Sequence, residues 1–153
     1  MKALVVYDSV FGNTGQIAQS IGAALGTEAL KVDEVQAEHL AGVALLAVGS
    51  PTRAFRPTPA TVKFLKGLPA GSLKGVKVAA FDTRASLEDV NSAILNFFVK
   101  IFGYAAEPML KLLQRKGGEA ALPPEGFFVL ESEGPLKEGE LERAAAWIRQ
   151  ALD

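Results

Sequence analysis

Two stretches of this chain, Ala3-Leu4-Val5-Val6-Tyr7 and Val43-Ala44-Leu45-Leu46-Ala47-Val48, are apolar with no polar alternation. A strand of that kind has both faces covered, which happens where helices pack on the two sides of a parallel sheet. Three further apolar runs keep the same rhythm. We read strands over 2–7, 29–33, 43–49, 77–81 and 127–131, separated by helix-like segments, the pattern of an α/β chain. Ala29-Leu30-Lys31-Val32-Asp33 alternates, which puts the second strand at an edge with one wet face. The expected architecture is one domain, 1–153, a three-layer α/β/α sandwich on a five-stranded parallel sheet of order 2-1-3-4-5. In that order the chain reverses between the first and third strands, and open sheets bind ligands at the carboxyl ends of the strands beside the reversal. The fully apolar Phe127-Phe128-Val129-Leu130 fits the remaining edge less well.

Helix signals fill the gaps. Ile17, Ile21 and Leu25 repeat at a spacing of four over 13–25, with Gly26 as the stop and Gly22 placed for close packing. Residues 36–42 read as a short polar helix carrying His39, which is expected to face solvent. Thr58 and Pro59 announce a third helix whose inner face would use Val62 and Leu65. Ser86-Leu87-Glu88-Asp89 reads as a capping box before a segment, 90–102, that is apolar on most of its circumference. After Gly103-Tyr104 a further helix with Pro108 in its first turn would bury Met109, Leu112 and Leu113 and end at Gly117-Gly118. The last, 138–152, would bury Leu141, Ala145 and Ile148, with Trp147 flanking the sheet.

Chemistry concentrates where the first strand meets the first helix, at Ser9-Val10-Phe11-Gly12-Asn13-Thr14. The first turn of a helix leaves backbone N–H groups unpartnered and carries about half a positive charge, so it suits a phosphate. Ser9, Asn13 and Thr14 add short donors, and Gly12 removes a Cβ. The loop holds no Lys or Arg, so it is not the triphosphate loop G-x-x-x-x-G-K-[ST], and it lacks the G-x-G-x-x-G that admits a pyrophosphate. A single terminal phosphate held by neutral donors remains.

Composition narrows the rest. Sixteen basic against 17 acidic residues leave no overall field to draw in nucleic acid or an anionic membrane. Without cysteine there is no disulfide, thiolate site or thiol catalysis, and one histidine builds no metal cluster. Redox chemistry would need a borrowed cofactor. The first apolar strand begins at Ala3, leaving no room for a leader, and no run approaches a membrane span, so a cytoplasmic location is expected.

The run from Val5 to Thr14 resembles the FMN phosphate-binding signature of the flavodoxin family, an aromatic followed by x-[ST]-x-x-G-x-T, with Tyr7, Ser9, Gly12 and Thr14 on its fixed positions. Phe11 departs from it, standing where the family often has a threonine. The resemblance covers the whole chain in element order, and with no insert splitting the fifth strand it is to short-chain, flavodoxin-like proteins. It implies that two more loops clasp the flavin ring. In Ser50-Pro51-Thr52-Arg53-Ala54-Phe55, the backbone near Thr52 would bond the reactive ring edge and Phe55 would stack on it. In Asp82-Thr83-Arg84, Asp82 would accept from ring N–H groups, or its neighbours would bond ring oxygens through their own N–H. The tyrosine that family members usually place in the second loop is missing, and Tyr104 is the candidate to fold back in its stead. Val10, Phe11 and Asn13 complete the implied FMN-binding set, with no catalytic side chain and no metal.

The function so implied is one-electron transfer by FMN between redox partner proteins. Two alternatives are an NAD(P)H- or quinone-dependent two-electron flavin reductase and a flavin-free interaction domain. Arg53, Arg56 and Arg84 in the ring loops would raise the flavin's potential unless carboxylates such as Glu88 or Asp89 neutralise them. The apolar 90–102 segment would complete the core, cover the flavin or form a homodimer face.

Overall fold

The computed structural model describes residues 1–85, 103–131 and 133–153. The expected capping box at Ser86 and the apolar helix to 102, with its lid and dimer readings, lie outside the described residues. In chain order the elements are β1 (Ala3–Tyr7), α1 (Asn13–Leu25), β2 (Ala29–Lys31), α2 (Ala37–Leu40), β3 (Leu45–Pro51), α3 (Pro59–Gly67), β4 (Lys77–Ala85), α4 (Ala106–Arg115), β5 (Glu119–Ala120), β6 (Glu125–Val129) and α5 (Glu140–Arg149), with a closing 3₁₀ turn over Gln150–Leu152.

The sheet is parallel and runs β2-β1-β3-β4, with the next position shared by β5 and β6. Val5 stands between Ala29 and Ala47, and Ala47 lies opposite Ala79. The order 2-1-3-4-5 is as expected, but the sheet has six strands, because the fifth position is split. β5 pairs with the start of β4 (Lys77 with Glu119) and β6 with its end (Phe81 with Glu125). Pro123 and Pro124 fall in the gap; with no N–H to give, they cannot continue a ladder there. The break spans only 121–124, so no long insert divides the fifth position. β4 also extends to Ala85, four residues past its apolar run, carrying Asp82 and Arg84 in extended backbone.

One core layer lies between the sheet and α1 with α5, the other between the sheet and α3 with α4. Ile17 and Ile21 are buried under the first layer, and Gly22 sits where a Cβ would come within 2.7 Å of the Thr27 carbonyl. Phe81, Phe127 and Trp147 meet edge to face with centroids 5.9–6.4 Å apart, each such pair contributing about 0.5–1.5 kcal/mol beyond its area. α5 is rotated from the expected face: Ala144, Trp147, Ile148 and Ala151 are buried, whereas Leu141 is exposed and Ala145 half-buried. His39 is half-buried, and its Nδ1 accepts the Gln36 N–H at 2.8 Å, capping α2.

The apolar edge strand is explained by what covers it. On the outer side of β6, Phe128 donates its N–H to Glu140 Oε2 at 2.7 Å, and Arg143 Nη2 donates to the Gly126 carbonyl. Lys137 N–H bonds the Phe128 carbonyl, and Leu130 N–H bonds that of Pro135. The start of α5 and the loop before it thus stand in for a neighbouring strand, which removes the hazard of an open apolar edge. Arg143 also grips Glu140 in a fork (2.8 and 2.7 Å) and lies over the Phe127 ring.

Burial raises the Glu140 pKa, but the Arg143 fork and the Phe128 N–H outweigh it and hold the carboxyl below the usual range. A depressed carboxyl contributes stability that is complete above its unfolded pKa of about 4.3 and is lost as pH falls through the folded value. Glu140→Gln is therefore expected to lower stability near neutral pH by about 1–3 kcal/mol, the cost of breaking a charged hydrogen bond. In urea unfolding the gap should close as pH falls below the usual carboxylate range; a gap independent of pH would refute the assignment.

Candidate functional site

The loops after β1, β3 and β4 converge beside the chain reversal and are stitched together there. Asp8 N–H bonds the Gly49 carbonyl, Thr52 N–H bonds that of Thr83, and the Thr14 and Thr83 hydroxyls lie 2.8 Å apart. Asp8 also accepts from the Ser9 N–H and the Thr58 hydroxyl, and Thr58 caps α3 as expected. A cavity of about 520 Å³ opens between these loops.

Nine of the fourteen expected residues line this cavity: Val10, Phe11, Asn13, Thr14, Pro51, Thr52, Arg53, Thr83 and Arg84. Ser9, Gly12, Ser50, Phe55 and Asp82 do not. Ser9 works from beneath, its Oγ accepting from the N–H groups of Gly12 (3.1 Å) and Gly15 (3.3 Å) to shape the turn. Gly12 is required by its left-handed backbone, φ 91°, since a Cβ there would meet no protein atom. Ser50 is buried, donating to the Pro51 carbonyl and accepting the Thr58 N–H. Asn13 spends its side chain on the Glu133 carbonyl at 3.0 Å. What α1 leaves open is backbone. It has no side-chain cap and no acid in its first turn, and no described residue accepts from the Asn13 or Thr14 N–H.

The second expected loop is reorganised most. Asp82, expected to meet the ring, is wholly buried, and its carboxylate is consumed inside the fold. Arg84 grips it with Nε and Nη2 at 2.6 and 2.7 Å, and Ala106 N–H at the start of α4 donates at 2.9 Å, while the Thr52 hydroxyl accepts the neighbouring Ala105 N–H at 3.1 Å. Burial pushes the Asp82 carboxyl up against the pull of all these donors, Arg84 foremost. The guanidinium lies across Gly126, where a Cβ would be 2.0 Å from Nε, and Tyr104 covers it with its ring centroid 3.7 Å from Cζ. Tyr104 does fold back, but onto Arg84, and it does not line the cavity. Burial, aided by Asp82 and opposed by Arg84, pushes its phenol above the ordinary value. Arg84 presents itself to the cavity already neutralised by Asp82, whereas Arg53 lies 5.3 Å from the Phe11 ring.

The loop after β3 is a tight hairpin in which Arg53 and Arg56 exchange backbone hydrogen bonds (2.8 and 2.9 Å) around Ala54 and Phe55. Both central residues have positive φ, 48° and 68°, a geometry that asparagine and glycine adopt at least cost. Phe55 thereby turns into a neighbouring groove and away from the cavity it was expected to roof. Ala54→Asn with Phe55→Gly is expected to stabilise the chain by about 1–2 kcal/mol by removing left-handed strain, read as a higher urea midpoint. An unchanged midpoint would mean that the ring contacts of Phe55 offset that strain.

Sequence reasoning missed Ala54, Ala85, Val129 and Glu133 of the lining. The last two come from the β6 edge and the loop beyond it, and only the split of the fifth strand brings them here. Among the described residues no group of three or more His, Cys, Asp or Glu could hold a metal, and no helix is long and apolar enough to cross a membrane.

No protein-family model matches the sequence, and no curated protein matches it either. Solved structures do. A flavodoxin from the domain Archaea superposes with a TM-score of 0.78 at 23% identity, covering 99% of this chain and 97% of that one. Oxidised flavodoxin 1 from Bacillus cereus gives 0.76 at 17% identity, covering 99% and 97%. The flavodoxin, WrbA-like protein from Agrobacterium tumefaciens gives 0.73 at 19%, covering 98% and 94%. The chain has the flavodoxin-like fold over nearly its full length.

Proposed function

We propose that the cavity binds FMN and that the protein is a cytoplasmic one-electron carrier between redox proteins. The observation that carries this reading is the start of α1, free of acid and with the Asn13 and Thr14 N–H groups open, beside a cavity of about 520 Å³ walled by the loops after β1, β3 and β4. That volume lies within the range of about 300–1,000 Å³ usual for cofactor sites. The residues present fit the group. The backbone from Val10 to Thr14 would hold the phosphate, Thr14 and Thr83 would line the passage to the ring, and Pro51 to Arg53 with Thr83 to Ala85 would flank it.

When bound, FMN supplies electron transfer that no side chain here can perform. The chain's part is to fix the ligand and set its surroundings. Asp82 cancels the charge of Arg84, so the cation the cavity offers without an acidic partner among the described residues is Arg53. Val10 and Phe11, 49% and 43% exposed, place apolar surface at the mouth, where it would exclude water and meet a partner.

Fluorescence titration of purified protein with FMN is expected to show one-to-one uptake with quenching, followed by reduction in two separable one-electron steps. Rapid bleaching by NADPH would favour the reductase reading, with Arg53 holding an anionic substrate. Failure to take up FMN would leave the flavin-free domain.

A further inference from the structure

A second concavity, about 810 Å³, runs between α3 and α4 and begins where the flavin cavity ends, the two sharing Ala54. Its floor is apolar, with Pro57, Val62, Pro108 and Leu112. Its rim carries Arg56, Lys63, Lys66, Lys111 and Arg115, all exposed, and among the described residues no acid lines it. The nearest carboxylate on its helices, Glu107, makes a long, exposed pair with Lys111 at 3.8 Å and offsets little of that charge. The asymmetry extends along the chain: 51–85 holds seven Lys and Arg against Asp82, while 119–142 holds seven Glu against Lys137. A net charge near zero thus leaves room for a cationic rim that adjoins the flavin cavity at Ala54.

We propose that this groove docks an acidic redox partner protein, one presenting an apolar side chain ringed by carboxylates. The apolar floor would take the side chain, and the five cations would steer and orient the approach. Docking there would bring the partner against the Arg53 to Arg56 hairpin, the wall common to both concavities. A second copy of the chain is the weaker fit. Two of its clustered carboxylates, Glu125 and Glu140, already pair with its own Arg143. What is exchanged rests on the carrier reading above; what binds rests on the groove alone.

The test is a nitrogen-15 NMR titration of the full chain, flavin-free and FMN-loaded, with an acidic plant-type [2Fe–2S] ferredoxin as probe and a basic cytochrome c as control. Ferredoxin is expected to shift amides of α3 and α4 in both forms, with affinity falling at least about tenfold between roughly 50 and 300 mM salt as rim charges are screened. Lys63→Glu with Lys66→Glu, and separately Lys111→Glu, should each weaken it by about tenfold or more while leaving FMN uptake unchanged. No shift at low salt, shifts confined to other surfaces, equal binding by the variants, or the same shifts with cytochrome c would overturn the proposal. So would sedimentation showing a dimer dissolved by these charge reversals, which would make a second copy the occupant. Ferredoxin shifts in a chain that takes up no FMN would retain the groove and remove the carrier reading.

Discussion

Asp82→Ala is expected to destabilise the fold by about 3–5 kcal/mol, the usual cost of stripping one partner from a buried ion pair. The Asp82 carboxylate receives three hydrogen bonds, two from the Arg84 fork and one from the Ala106 N–H. Its removal leaves the guanidinium pressed between Gly126 and Tyr104 without its acid, and it uncaps α4. A paired change separates charge from packing. Asp82→Leu with Arg84→Met keeps apolar volume without an unpaired charge, so it should recover most of the loss, as apolar replacements of buried pairs commonly do. Urea midpoints at unchanged slope measure both. A loss below about 1 kcal/mol for Asp82→Ala would show the pair to be solvated and its geometry incidental. FMN affinity should fall in the double variant even where stability returns, because Arg84 is part of the cavity wall.

The second large effect is on binding. Thr14→Asp places a carboxylate at the start of α1, and the expected result is a loss of FMN affinity of at least about 100-fold, from like charge at the phosphate position. Some stability should be lost as well, because Thr14 is buried and its hydroxyl bond to Thr83 goes, and an acid in the first turn, worth about 0.3–1 kcal/mol at an exposed site, offsets only part of that. α4 and α5 already carry acids there, as Glu107 and as Glu140 with Glu142, whereas α1 carries none. Fluorescence titration reads the affinity and thermal melting the stability. FMN uptake at the parent affinity would place the phosphate elsewhere and end the reading of this site.

These two positions differ in how far the sequence betrays them. The strand-to-helix junction proposed for the phosphate was legible as a structural element because its signals are local: an apolar strand, a serine three residues before a glycine, and a helix start free of acid fall within about ten residues. For the same reason the ends of α1 and the Thr58-Pro59 start of α3 are where the spacing put them. The inward turn of Asp82 was not legible, because although Arg84 is two residues away, the Ala106 N–H that completes its site lies elsewhere in the chain. A carboxylate in a ligand-type loop and one turned inward look identical until the neighbouring helix is placed. Phe55 was misjudged for a related reason, since the hairpin's left-handed backbone, unannounced by asparagine or glycine, sends the ring into the next groove.

Strand periodicity and local turn chemistry by themselves determined the layers and the edge position of the second strand, with which the order 2-1-3-4-5 agrees, since burial on two faces and helix starts are written in neighbouring residues. Tertiary structure alone decided which side chains face the cavity, how the Phe127 edge is closed by Glu140 and Arg143, and that dispersed lysines of α3 and arginines and lysines beyond them form one cationic rim. Those outcomes depend on contacts between residues tens of positions apart, and chain reversal, not sequence proximity, brings such residues together.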